Sequence, residues 1–219
     1  MAKIIAVVHT KGGVGKTTTA MSLAAEISAR GWTVLVVDGD GQSTATAWSA
    51  AAPDAMPFPA TVINLAEYGV KIHQEIQRHV NNYDFIIVDT PPSTTSTVNH
   101  SVLCIASICL IPQPASPGDL WAARSVKKLV ELAQMVNPAL RAFLLANRLT
   151  KTSLSKAILD ELSTFGIPLL NSRLGNRVAF QEATIGGTSV RALKNSAKRA
   201  GVELKDLGDE VLQLLGVHE

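Results

Sequence analysis

Short apolar runs recur along the chain at 4–8, 33–37, 60–65, 84–88, 107–112, 141–146 and 167–170. Between most of them lie segments with apolar residues three or four positions apart, at 16–30, 68–80, 117–136 and 153–165. Strand-length runs alternating with helical patterns predict βαβ units, and therefore an α/β fold with a mostly parallel central sheet and helices on both faces. The runs at 33–37 and 84–88 are almost continuously apolar, as strands covered on both faces must be, so they are expected at the sheet centre. Each is followed or ended by an aspartate, Asp38 and Asp89. Ligands of open parallel sheets collect at the carboxyl ends of the strands, which puts both acids at one candidate edge. A last helix over 195–215 carries Ala197, Ala200, Leu204, Leu207, Val211, Leu214 and Leu215 on one face and is expected to dock on the domain. The stretch from Ser49 to Pro59 reads as an irregular connection.

Composition narrows the picture. With 219 residues and 47% hydrophobic content, the chain suits a single domain over 1–219. No run of 18 apolar residues occurs and no signal-peptide pattern precedes the first strand, so a cytoplasmic protein is expected. Cys104 and Cys109 stand in apolar surroundings and read as small buried hydrophobes. The net charge of +2 hides an asymmetry, because residues 173–199 hold Arg173, Arg177, Arg191, Lys194, Lys198 and Arg199 against the single acid Glu182. Such a patch is a candidate surface for a polyanion.

The strongest chemical signal is Thr10-Lys11-Gly12-Gly13-Val14-Gly15-Lys16-Thr17-Thr18, between the first apolar run and the first helical pattern. Gly12, Gly13 and Gly15 let successive backbone N–H groups face one anion, to which the helix N-terminus adds its dipole. Lys16 would reach the β- and γ-phosphates of a nucleotide, Thr17 would ligate Mg²⁺, and Thr18 would meet the α-phosphate. The general phosphate-loop pattern has glycine where this chain has Thr10. Asp38-Gly39-Asp40-Gly41-Gln42 and the strand-ending Asp89 of Phe85-Ile86-Ile87-Val88-Asp89 supply carboxylates for a metal shell or a water opposite that loop.

The Lys-Gly-Gly-Val-Gly-Lys-Thr-Thr box resembles the deviant Walker A motif of the ParA/MinD family of P-loop NTPases, which are SIMIBI-like. The resemblance extends through both aspartate boxes to Gln181-Glu182-Ala183 and Gly187-Thr188-Ser189-Val190. It implies an ATP-dependent, Mg²⁺-dependent partition or positioning ATPase. Lys11 would cross a homodimer interface to the partner's nucleotide, Asp40 would orient the attacking water, and Asp38 would support the magnesium shell and the loop, with Asp89 holding Mg²⁺ through water. Gly41 departs from the family's proline. Pro91-Pro92 would open a second switch segment, and 112–123 resembles the family's dimer-facing loop, where Asp119 can equally be a helix N-cap.

Asn147 stands where the family often reads adenine, and its amide suits N6 and N7, although a loop cap explains it as well. No Asn-Lys-x-Asp guanine box occurs, which favours ATP. By the same resemblance the ATP dimer would bind DNA without sequence preference through Arg191, Lys194, Lys198 and Arg199, making the protein nucleoid-associated. A centromere-binding or cargo-adaptor protein would stimulate hydrolysis. The cargo would be plasmid or chromosomal DNA, with carboxysomes or chemoreceptor arrays as alternatives and a small-molecule synthetase of the same fold as another. The chain begins at strand one, without the helix-turn-helix extension of larger members. No membrane partner is expected, since Glu203 to Glu219 is acidic rather than a basic amphipathic anchor.

Overall fold

The computed structural model describes residues 1–93, 96–150 and 152–217, apart from the side chains of 117–121, 154 and 195. Among them the chain forms seven strands: β1 (Lys3–Val7), β2 (Val34–Asp38), β3 (Thr61–Asn64), β4 (Phe85–Asp89), β5 (Ile108–Pro114), β6 (Arg141–Leu149) and β7 (Leu169–Gly175). They build one sheet in the order β3-β2-β4-β1-β5-β6-β7, and every pairing is parallel. The sheet is thus wholly rather than mostly parallel. β4 lies between β1 and β2, so Val7, Asp38 and Asp89 stand level with one another at the carboxyl edge.

Alternation along the strands divides the core. Ile5, Val7, Val36, Phe85 and Ile87 point to one face, which is covered by α1 (Lys16–Ser28), α2 (Thr44–Ala50), α7 (Val178–Ile185) and α8 (Lys198–Leu214). Ile4, Ala6, Leu35, Ile86 and Val88 point to the other, under α3 (Ile72–His79), α4 (Thr97–Leu103), α5 (Pro117–Gln134) and α6 (Ser153–Ser163). Cys109 is fully buried on this second face, and its thiol pKa is driven up by burial. Cys104 departs from the expectation: it is half-buried, with its Sγ 3.7 Å from His100 Nδ1.

Three helices, α2, α4 and α7, were not foreseen in the pattern. Each is seven or eight residues long. The first two are rich in Ser, Thr or Asn, which favour caps and turns, so tertiary packing must supply what propensity does not. The segment expected as a helix over 68–80 is a 3-10 turn up to Lys71, broken at Gly69 (φ 50°), and only then the helix α3. The last helix likewise starts at Lys198 rather than 195, because Val190–Ala197 is a 3-10 segment, broken at Lys194 (φ 53°, ψ −127°), and Ala197, the N-cap residue, leaves helical geometry at φ −110°, ψ 12°. α5 takes Ser116 as its N-cap residue, so Asp119 lies in the first turn; its side chain is outside the described residues, as are residues 94 and 95 of the expected second switch segment.

α2 is fastened at both sides. Near its start, Thr46 donates its backbone N–H and its hydroxyl to Asp38 Oδ2, at 2.8 and 2.9 Å. On the far side the buried Trp48 indole donates to the Thr188 carbonyl at 3.0 Å. The backbone of Gly187 (φ 62°) approaches α2 so closely that a Cβ there would fall 2.1 Å from Ala52 N and 2.2 Å from the Ala51 carbonyl carbon. Gly187→Ala is therefore expected to destabilise the fold by roughly 2–4 kcal/mol, through overpacking and positive-φ strain together. Thermal denaturation measures this, and an unchanged midpoint would contradict the α2 packing.

Candidate nucleotide site

The loop from Thr10 to Gly15 leaves β1 and enters α1 at the carboxyl edge of the sheet. Gly13 (φ 74°) and Gly15 (φ 95°) hold left-handed geometry that other residues resist. Gly15 is the N-cap residue of α1 and offers no side-chain cap. The first helical bond runs from Thr19 N to the Gly15 carbonyl at 2.9 Å, so the amides of Lys16, Thr17 and Thr18 precede it and have no acceptor within the helix. Three amides at a helix start, facing a glycine-lined loop, make an anion cradle.

Lys16 is buried beneath this loop, and its Nζ donates to the Lys11 carbonyl at 3.3 Å. Burial lowers its pKa, while Asp89 and Asp40 pull the other way. Thr17 donates its hydroxyl to Asp89 Oδ2 at 2.6 Å. Asp89 is fully buried, and burial pushes its pKa up to about 7 against the help of the Thr17 hydrogen bond, with the neighbouring charge of Asp38 adding to the rise. Asp89 Oδ1 is buried and has no hydrogen-bond partner among the described residues.

An orphaned carboxylate oxygen beside a threonine hydroxyl fits a hard divalent cation. No group of three or more His, Cys, Asp or Glu able to hold a metal occurs among the described residues. That donor set suits Mg²⁺, which keeps several waters and shares its shell with substrate phosphates rather than filling an all-protein cage.

The two remaining acids have different surroundings. Asp38 is fully buried, with Oδ1 accepting from Asp40 N at 3.2 Å and Oδ2 accepting twice from Thr46. Its carboxylate ties the loop that carries Asp40 to α2. Asp40 is half-buried and lines the cleft, and its Oδ1 accepts from Gln42 N at 3.1 Å, closing a turn that exposed Gly41 occupies without strain.

Asn147, at 4% exposed, braces the loop from below. It donates to the Val14 carbonyl at 2.9 Å and accepts from Arg148 N at 2.8 Å, and a Cβ on Gly15 would lie 2.3 Å from its Nδ2. In this structure the amide acts as a loop brace, with one N–H and one lone pair left over for any base. Arg148 (φ 53°) adds a bond from its guanidinium to the Gly13 carbonyl.

A cleft of 380 Å³ runs from Gly13 and Lys16 past Asp40 to Asn147, and its far wall is Gly175, Asn176, Arg177 and Phe180. Sequence reasoning missed that wall. The rule that ligands gather at the carboxyl ends of parallel strands would have pointed to it had β7 been drawn to its true end at Gly175. Lys11 is exposed at the loop rim.

The four basic residues expected to meet DNA stand apart from this cleft and differ among themselves. Lys194, Lys198 and Arg199 are exposed. Arg191 is exposed as well, and its Nη1 donates to both oxygens of buried Glu26, each at 3.0 Å. Arg177 is similarly tied to Glu203. Two of the six bases in the local sequence are thus paired with acids from outside it.

No described helix is long and apolar enough to cross a membrane. Comparison with known proteins agrees with the geometry. The chain is 29% identical over 213 residues to the maintenance of carboxysome distribution protein A of Halothiobacillus neapolitanus, covering 95% of each. It is 30% identical over 212 residues to the protein of the same name from Gloeobacter kilaueensis, covering 95% of this chain and 94% of that one. Its fold matches a variant of Cyanothece McdA in complex with ATP, with a TM-score of 0.79 and 18% identity over 100% of this chain and 98% of that one. The model of the CobQ/CobB/MinD/ParA nucleotide binding domain matches residues 5–190, and the chain belongs to that family.

Proposed function

We propose that this chain is a positioning ATPase that ATP joins into a face-to-face dimer and that DNA then holds. The observation that carries the reading is the division of labour between two lysines: Lys16 lies buried inside its own cradle, whereas Lys11 stands exposed at the rim. A single-copy phosphate site has no use for the second. Lys16 and the α1 amides would grip the β- and γ-phosphates, and Lys11 would extend to the nucleotide of a second copy. Asp40, in the cleft, would orient the attacking water for transfer of the γ-phosphoryl group. Thr17 and Asp89 would hold Mg²⁺, which when bound neutralises charge on the phosphate oxygens.

Lys194, Lys198 and Arg199 would contact the duplex. They surround the start of α8, whose first turn has no side-chain cap and no acid, so its dipole end favours phosphate. Two copies double the charges that engage one DNA. The cargo we favour is a large protein body such as a carboxysome, on the strength of relatives whose names refer to carboxysome distribution. An adaptor on that body would stimulate hydrolysis and release the DNA. The alternatives of plasmid or chromosomal cargo share the same cycle.

Size-exclusion chromatography with ATP and Mg²⁺ tests the two lysines. Lys16→Ala is expected to lose nucleotide binding, Lys11→Ala to bind ATP but remain monomeric, and Asp40→Ala to persist as a dimer longer than the parent because hydrolysis is slowed. A Lys11→Ala protein that dimerises and turns over normally would end the trans reading, and turnover that depends on an added metabolite but not on DNA or a partner would favour a synthetase. For DNA, Lys194→Glu with Lys198→Glu should weaken binding to every duplex equally and flatten the salt dependence, by roughly 0.9 in log–log slope for each phosphate that is no longer neutralised. Arg191→Ala should instead lower stability by about 1–2 kcal/mol, since it strips one partner from a buried carboxylate. An anisotropy titration across salt, with a melting curve for each variant, separates these effects; a double variant that binds DNA with an unchanged slope would place the surface elsewhere.

A further inference from the structure

The arm that leads into the phosphate loop is stapled to the neighbouring strand and helix by polar contacts that the nucleotide site does not itself require. Val8 N donates to the Leu110 carbonyl of β5 at 3.0 Å. Thr10, which stands where the general phosphate-loop pattern has glycine, sends its hydroxyl to the Ala122 carbonyl of α5 at 3.4 Å. Between them His9 and Gln113 are both fully buried, and His9 Nε2 lies 3.3 Å from Gln113 Oε1. The other imidazole nitrogen, Nδ1, accepts from the backbone N–H of Lys11 at 3.0 Å.

These contacts fix the chemistry of the ring. A nitrogen that accepts from an amide carries no proton, so Nε2 holds it and donates to Gln113 Oε1. The Gln113 amide is oriented in turn, because its Nε2 donates to the Pro114 carbonyl at 3.2 Å. The backbone of Lys11 is consequently gripped at both ends, its N–H by His9 and its carbonyl by Lys16 Nζ. The second grip is provisional. In the proposed cycle Lys16 would turn to a phosphate and leave the Lys11 carbonyl, while the bond from the Lys11 N–H to His9 would persist.

We infer that His9 and Gln113 are a positioning pair for Lys11: buried under the loop, they hold the exposed lysine in the orientation from which it reaches a second copy of the chain. The inference rests on the trans role proposed for Lys11. Its specific content is that the acceptor at position 9 acts on dimer assembly and not on the chain's own phosphate grip. The amides of Lys16, Thr17 and Thr18 belong to α1 and do not depend on the ring. An imidazole is not uniquely suited to the task, because an asparagine side chain can accept from the amide two residues on in an Asx turn.

The experiment compares the parent, Lys11→Ala, His9→Ala and His9→Asn for ATP affinity by calorimetry and for ATP-dependent dimerisation by sedimentation. His9→Ala is expected to bind ATP as the parent does while the dimer dissociation constant rises by roughly tenfold, since each of two copies loses the bond that holds the Lys11 N–H. His9→Asn should restore most of the dimer. A purely structural histidine would lower stability and ATP affinity together and would not be rescued by asparagine. Dimerisation of His9→Ala at the parent's strength, with Lys11→Ala monomeric, overturns the inference alone; a Lys11→Ala protein that dimerises normally overturns the trans role and this inference with it. Should His9→Ala fail to fold, a long-range ¹H–¹⁵N spectrum of the parent decides instead. A neutral ring protonated on Nε2 supports the pair, and a proton on Nδ1 overturns it.

Discussion

The hydrogen bond from Thr17 to Asp89 is possible only because β1 and β4 are parallel neighbours in register. Val7 pairs with Asp89, so the loop that leaves β1 and the carboxylate that ends β4 emerge side by side. The sheet order then brings Asp38 level with Asp89 from the other side. A buried carboxylate is tolerable when hydrogen bonds or a cation meet it; here one oxygen has a hydroxyl and the other has no partner among the described residues, which is why burial raises the pKa of Asp89. The site is a place where the fold leaves polar groups incompletely satisfied, and its ligand is expected to complete them.

Around that point, side chains that do no chemistry decide where the chemical ones stand. Asp38 spends both oxygens on the turn carrying Asp40 and on α2. Asn99, fully buried on α4, donates to the carbonyls of Pro91 and Ser93, at 3.3 and 3.0 Å, and so holds the start of the segment that follows Asp89. α2 continues the chain of contacts through Trp48 to Thr188, at the foot of the segment that carries Lys194. The acid-bearing turn and the basic surface therefore share one packed element.

The fold was legible wherever burial was complete. β2 and β4 were recognisable because both faces are covered and the runs are uninterrupted, and the phosphate loop was recognisable because glycines, lysine and threonines have no cheaper explanation at that spacing. What was not legible depends on contacts between distant residues. The short helices α2, α4 and α7 owe their existence to packing rather than pattern. The local sequence could not show that Glu26 and Glu203, far away in the chain, fold onto Arg191 and Arg177. The bonds of Asn147 to Val14 and from Arg148 had no sequence signal, and His9, a lone histidine in an apolar neighbourhood, carried none either.

The most direct test of the account is calorimetric titration of ATP into the chain, once with Mg²⁺ and once with a chelator. The cradle at α1 predicts binding in both conditions, through Lys16 and the free amides, and the orphaned oxygen of Asp89 predicts that Mg²⁺ strengthens it. Removing the carboxylate with Asp89→Asn should abolish the strengthening while leaving the metal-free binding in place. Binding that ignores Mg²⁺ in the parent, or a Mg²⁺ effect that survives Asp89→Asn, would contradict the assignment of this edge of the sheet as a nucleotide and cation site.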